Sequence, residues 1–253
     1  MENSSRSSIS KFINIEKPYI LIPFFALISL VIFWLGIIFF SYTPFGGLYW
    51  YVFTVVLSLL FMISVYSSPQ FRSFRVYVGS ILLFYSMLLF IGIMPGYYMA
   101  KLLPQAVSQA NQTIVSIRTS YRSVFSMASA IFSNNVKIDI ISFIPFVGPF
   151  VLGTAIVNTT SVVWGLSFTE YFSGNPYWFV GPIAVLIAPD TFTEFSSYIL
   201  SLIGGLYLFK ALSRPQEERG KNLMKAFIYL IASLGLLYGS ALLEAFLIIR
   251  FGL

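Results

Sequence analysis

Apolar residues along this chain come in runs of about 20, the length at which a helix crosses a bilayer. The first runs predict spans over Tyr19–Phe40, Leu48–Tyr66 and Val76–Met94. Turn signals divide them: Pro44 with Gly46-Gly47, the segment "SSPQFRSFR", then Pro95-Gly96. After that the pattern changes. Between Leu102 and Phe132 the apolar positions are Leu103, Ala106, Ala110, Ile114, Ile117, Tyr121, Val124, Ala128 and Ile131. This is helical spacing. The other face carries Gln105, Gln109, Gln112, Arg118, Thr119, Arg122 and Ser126. The pattern predicts one long amphipathic helix, too polar to span, lying on a surface or against the bundle. It holds Lys101, Arg118 and Arg122 and no acid, which suits contact with a membrane surface or a partner.

A fourth apolar run extends from about Val136 to Ser167. At about 1.5 Å per residue, one unbroken helix of that length would overshoot the bilayer. "IPFVGPF" interrupts it. Pro145 and Pro149 lack a backbone donor and Gly148 is permissive, so a broken or sharply kinked helix is predicted. Backbone groups freed at that depth must be buried in protein or line a wet cavity. A short fifth span, tilted, partly re-entrant or extending further, is expected at Tyr177–Ala188, where Gly181-Pro182 falls, then spans at Phe192–Leu212 and Ala226–Ile249. The fold class is all-α: a polytopic helical transmembrane bundle of about six to seven spans. Its parts are a polar tail over 1–18, three transmembrane helices over 19–96, an extramembrane amphipathic helix over 97–133, and a transmembrane core with a C-terminal helix over 134–253.

Composition sharpens this. The chain is 58% hydrophobic and 9% charged, against about a quarter charged in a soluble domain. No charge falls between Lys17 and Arg72, Arg75 and Lys101, or Lys225 and Glu244. The net charge of +6 fits a cytoplasmic membrane face and anionic headgroups, and no motif indicates nucleic acid. Aromatic residues, 19% of the chain, suit interfacial belts. The first apolar run is longer than a signal-peptide core and no small-x-small site follows it, so a retained N-terminus is expected. The basic clusters are the N-terminal tail, Arg72/Arg75 and Lys210–Lys225 with Arg214, Arg219 and Lys221. Seven spans put all three clusters on one side, expected to be cytoplasmic. The expectation is a multi-pass cell-membrane protein with a cytoplasmic N-terminus and an outer C-terminus. "NQT" at Asn111–Thr113, a glycosylation acceptor pattern, then falls outside.

Polar residues inside these runs are the candidate site. Asn135 and Asp139 share a helix face, with Asn134 adjacent and Asn158 deeper in the run. They could bind an ion, a substrate group or a partner helix. Alternatively, the asparagines cap the start of span four, Asp139 meets Lys137 or headgroups, and Asn158 makes a helix–helix hydrogen bond. Asp190 and Glu194 in "APDTFTEF" share a face and could hold a cation or move a proton. Thr191 and Glu194 also fit a capping box. Glu244 lies one turn after Ser240, near the small-xxx-small pair Gly235/Gly239. It needs a partner, a cavity or a position near the interface, where Arg250 also falls. With no histidine and no cysteine, disulfides, Ser–His or Cys–His pairs and an ordinary zinc site are excluded. There is no phosphate loop, and neither an enzyme activity, a cofactor nor a metal is expected.

Two quoted stretches add a resemblance. "SNNVKIDIISFIPFVGPFVLGTAIVNTTSVVWGLS" followed by "APDTFTEFSSYILSLIGGLYLF" resembles the stage II sporulation protein M family of multi-span membrane proteins. The matching residues are Asn134-Asn135 opening a span with Gly148 and Gly153, Asn158 deeper in it, and Pro189 with Glu194 after a turn. Asp190-Thr191 stands where the family has His-Gly, and Thr159 where a glycine usually follows the deeper asparagine. The resemblance covers about residues 130–212. It implies a non-enzymatic membrane scaffold that recruits other proteins; relatives outside spore formers mostly lack an assigned role. The richness in Ile, Tyr and Ser looks archaeal, for which a sporulation role would not follow. A transporter or channel subunit for an ion or small solute, or the membrane channel of a DNA-transfer system, is the alternative. The broken run and the intramembrane acids motivate it. Expected partners are the lipid bilayer, further copies of the chain, and other membrane or soluble proteins.

Overall fold

The computed structural model describes Gly79, Ile81, Phe90, residues 92–213 and residues 216–251. The first two expected spans, most of the third, the polar tail, Arg72, Arg75 and Arg214 lie outside the described residues; Pro95-Gly96, expected to end the third span, lies inside a helix instead. The chain divides into two compact units, Met1–Met87 and Leu88–Leu253. Seven helices are described in the second unit: α1 (Ile93–Leu102), α2 (Pro104–Ser120), α3 (Val124–Ser142), α4 (Gly148–Phe172), α5 (Val180–Ile187), α6 (Pro189–Ser213) and α7 (Gln216–Phe251). No strand occurs among the described residues. The protein is an all-α membrane protein, and α4, α6 and α7 are each long and apolar enough to cross a bilayer.

α6 and α7 form an antiparallel hairpin with the largest interface in the unit. Its rungs run in opposite chain directions. The Ser240 hydroxyl donates to the Asp190 carbonyl, Ser233 to that of Ser197, and Tyr207 stacks on Tyr229 with ring centroids 5.5 Å apart. Near the joint, the Lys210 and Lys225 ammoniums lie 5.1 and 5.2 Å from the centre of the Tyr207 ring.

α3 lies against both members of the hairpin. Its early residues Met127 and Ala128 are fully buried against Ala241 and Ala245 of α7. Its end reaches the middle of α6, where a side chain on Gly205 would meet the Phe143 carbonyl oxygen at 2.6 Å. Contact this close needs glycine. Within a bilayer, burial against lipid tails gives little drive, so dense packing at small residues holds helices together. The same device joins α1 to α4. A Cβ at Gly96 would lie 2.5 Å from that of Trp164 and 2.8 Å from the Gly165 nitrogen.

The interruption between α3 and α4 is a reversal. Gly148 returns so close to Ser142 that any side chain there would collide with the Ser142 carbonyl. Phe146 takes a left-handed conformation, φ 69°. The Gly148 amide closes the turn on Ile144 O at 2.8 Å, and Pro149 sits where a helix start needs no donor. Chain reach leads to the same geometry. If α4 continued the direction of α3, its end would lie more than about 50 Å from the start of α6. Residues 173–188, half of them in α5, reach at most about 40 Å. α3 and α4 are therefore two antiparallel helices, where the sequence predicted one interrupted span over Val136–Ser167.

Two further expectations are corrected. α5 has 8 residues, about 12 Å of helix, so the segment at Tyr177–Ala188 is too short to be a span. The amphipathic pattern of Leu102–Phe132 is divided between α2 and α3, because Tyr121 and Ser123 are extended. The division falls after Ser116, Thr119 and Ser120, whose hydroxyls all bond to carbonyls of the preceding turn. Such bonding bends and weakens a helix. It also frees α3 to turn its Met127 face onto α7.

Candidate functional site

α3, α6 and α7 meet along a line of polar side chains. Asp139 on α3 is wholly buried, 0% exposed. The Ser233 Oγ of α7 lies 2.7 and 2.6 Å from its two carboxylate oxygens and 2.8 Å from the Ser197 carbonyl oxygen of α6. A hydroxyl has one proton to donate, so the carboxylate and that carbonyl share it. The Ser201 hydroxyl donates to the backbone oxygen of Asp139 at 2.6 Å. Ser197, Ser201 and Ser233 are themselves buried. One residue of α3 is thus tied to both arms of the α6–α7 hairpin, to α7 through its carboxylate and to α6 through its backbone carbonyl.

One turn earlier on α3 a second knot forms. The Asn135 amide donates to Glu194 Oε1 at 3.0 Å, and the Tyr198 hydroxyl donates to the same oxygen at 2.7 Å. Asn134, exposed at the rim, donates to the Asn135 oxygen at 3.2 Å. Asp139, Glu194 and Glu244 all come within electrostatic reach of the Tyr198 hydroxyl, and Asp190 within reach of Glu194. Six of the seven polar candidates therefore converge on α3, α6 and α7: Asn134, Asn135, Asp139, Asp190, Glu194 and Glu244.

Asn158 is the exception. It stands exposed on α4 and shares no hydrogen bond with the others. The asparagine pair sits inside α3 and caps nothing, since that helix begins at Val124. The capping-box alternative is corrected as well. α6 begins at Pro189, ahead of Thr191, and the Glu194 carboxylate is held by Asn135 and Tyr198. Gly235 and Gly239 have open space where side chains would be, so they serve no packing within the described unit.

The basic residues are scattered. Lys101 ends α1 with its ammonium 5.9 Å from the Tyr97 ring centre. Arg118 lies on α2, and Arg122 is exposed in the link to α3. Arg219, near the start of α7, donates to the Ala211 carbonyl at 3.2 Å, and Lys221 is exposed beside it. Sequence reasoning missed Ser197, Tyr198, Ser201 and Ser233. The available signal was hydroxyls inside crossing runs, with Ser197 and Ser201 one turn apart on a face shared with Glu194.

The line of side chains can fix the register of three helices, since each tie is specific in direction and depth. Among the described residues, no group of three acids is placed to hold a metal ion. Comparison with known families finds one match: the model of stage II sporulation protein M fits residues 80–247, well over half of the chain. That stretch includes every residue of the site and exceeds the one whose motifs carried the resemblance. No curated protein and no solved structure matches.

Proposed function

The chain belongs to the stage II sporulation protein M family, and from that premise we propose that it is a non-enzymatic scaffold of the cell membrane. The observation that carries this is the dry packing of Asp139: 0% exposed, with its hydrogen bonds drawn from serines of two neighbouring helices. A carboxylate that loads and releases an ion needs a route to water. One enclosed by protein donors instead joins helices. In this reading the acids and serines hold a rigid α3–α6–α7 frame, and partners dock on what the frame presents. Those surfaces are exposed α2, with Gln105, Gln109 and the following Arg122, and the basic joint of α6 and α7, with Arg219 and Lys221. In this reading that joint and the N-terminus are cytoplasmic and the C-terminus is outside, which the bias of basic residues towards the cytoplasm supports. Partners are other membrane or soluble proteins.

One observation favours a second reading, an ion-coupled transporter: three acids converge on Tyr198. The two readings separate in proteoliposomes. Proton and cation flux is measured for the wild-type chain and for Asp139→Asn with Glu194→Gln. The scaffold reading expects no flux from either, and capture of defined partners from native membranes that is lost when Arg219 and Lys221 are neutralised. Wild-type flux that disappears in a folded double variant would establish transport instead.

A further inference from the structure

Asn158 lies ten residues into α4, about 15 Å from the helix start. α4 is apolar enough to cross a bilayer, and only 44% of its apolar stretch is buried. The Asn158 carboxamide is exposed and makes no hydrogen bond among the described residues. In water this would mean nothing. At that depth there is no water to satisfy two donors and an acceptor, and an amide left facing hydrocarbon is costly. The hydroxyl of Thr154, one turn earlier, already bonds to the Phe150 carbonyl at 2.9 Å, so it does not compete for the amide. α1 covers a different face of the helix, at Thr160, Ser161, Trp164 and Gly165.

We propose that Asn158 is the centre of a self-association face and that its partner is Asn158 of a second copy of this chain. A carboxamide is hydrogen-bonding self-complementary, because it donates through nitrogen and accepts through oxygen. Two copies related by a two-fold axis place the same residue on both sides and satisfy both amides reciprocally. The flanking positions Thr154, Ala155, Thr159 and Val162 are small or β-branched, which allows the close helix approach such a pair requires. The open stripe Gly235/Gly239 on α7 is the competing surface. It is apolar, so facing lipid leaves no group unsatisfied. This inference rests on α4 alone and stands or falls apart from the scaffold reading.

The chain has no cysteine, so N158C carries a single thiol. In membranes holding the full chain, mild oxidation of N158C is expected to give a covalent dimer, while a thiol at Gly235 gives none. By energy transfer under dilution in lipid, N158L is expected to weaken the dimer roughly tenfold, and N158Q to keep it. Leucine suits a lipid-facing site, so an unchanged thermal midpoint for N158L shows that folding is intact. A dimer indifferent to N158L would overturn the proposal. So would a dimer lost on G235L/G239L instead, or crosslinking of N158C to single cysteines placed within residues 1–87 of the same chain.

Discussion

Ser233 is the residue on which the buried polar line turns. Its one hydroxyl faces the Asp139 carboxylate and the Ser197 carbonyl together. Ser233→Ala leaves a buried carboxylate short of a donor, at a cost of about 1–3 kcal/mol. The midpoint of detergent or thermal unfolding should fall accordingly. Asp139→Asn brings its own donors to the same place and should cost much less than Asp139→Ala. In the double variant Asp139→Leu with Ser233→Ala, the two costs should be clearly less than additive, since each change removes the other's partner. Additive losses in that cycle would mean that the pair is not coupled. The sequence exposed the acids and asparagines as anomalies in apolar runs. It did not expose their partners, because a serine in a membrane helix is common and only the crossing of a second helix gives it a role.

At the scale of elements, glycine separates places where helices touch from places where they do not. Gly205→Ala should cost about 1–3 kcal/mol, because its new methyl meets a backbone oxygen that cannot swing away. Gly235→Ala, in open space on α7, should be neutral or stabilising by about 0.5–1 kcal/mol from helix propensity alone. Thermal unfolding of the two variants side by side tests both. The reverse ranking would place the packed faces wrongly. The sequence singled out Gly235/Gly239 and passed over Gly205, since a glycine in an apolar run looks the same whether or not a neighbour is present. It located the interruption near Pro145, Gly148 and Pro149 for a sound reason, the loss of donors. Kink and reversal, however, share those residues. What separates them is the return of Gly148 against Ser142 and the left-handed Phe146, which are contacts rather than composition.

For the whole molecule, replacing one interrupted span with two antiparallel helices changes which loops share a side. The order α3, α4, α6, α7 gives four successive helices of alternating direction, with α5 in the connection between α4 and α6. An impermeant thiol reagent should label cysteines introduced at Ser173 and at Phe179 from the same side. A cysteine at Phe146 should react only from the other side. Labelling of Ser173 and Phe146 from one side would overturn the reversal. The overall class was legible because apolar run length and scarcity of charge are set by the bilayer itself. The helix boundaries in the middle were not, because α3 joins the end of the polar-faced stretch Leu102–Phe132 to the start of the apolar run Val136–Ser167.

The burial of Asp139 has a consequence in time. The serine that bonds Asp139 from α6 lies 62 residues further along the chain, and the one from α7 lies 94 residues further. At ribosomal rates of about 5–20 residues per second, α3 waits roughly 5–20 s after its own synthesis before its last partner exists. During that interval it is a helix with an unmatched carboxylate and nowhere dry to put it. Until the α6–α7 hairpin arrives, water is the partner that can satisfy it. Chains halted shortly after Phe172 should therefore hold α3 accessible to water-borne reagents, while completed chains close around it. In this protein helices made late supply the donors for a carboxylate made early.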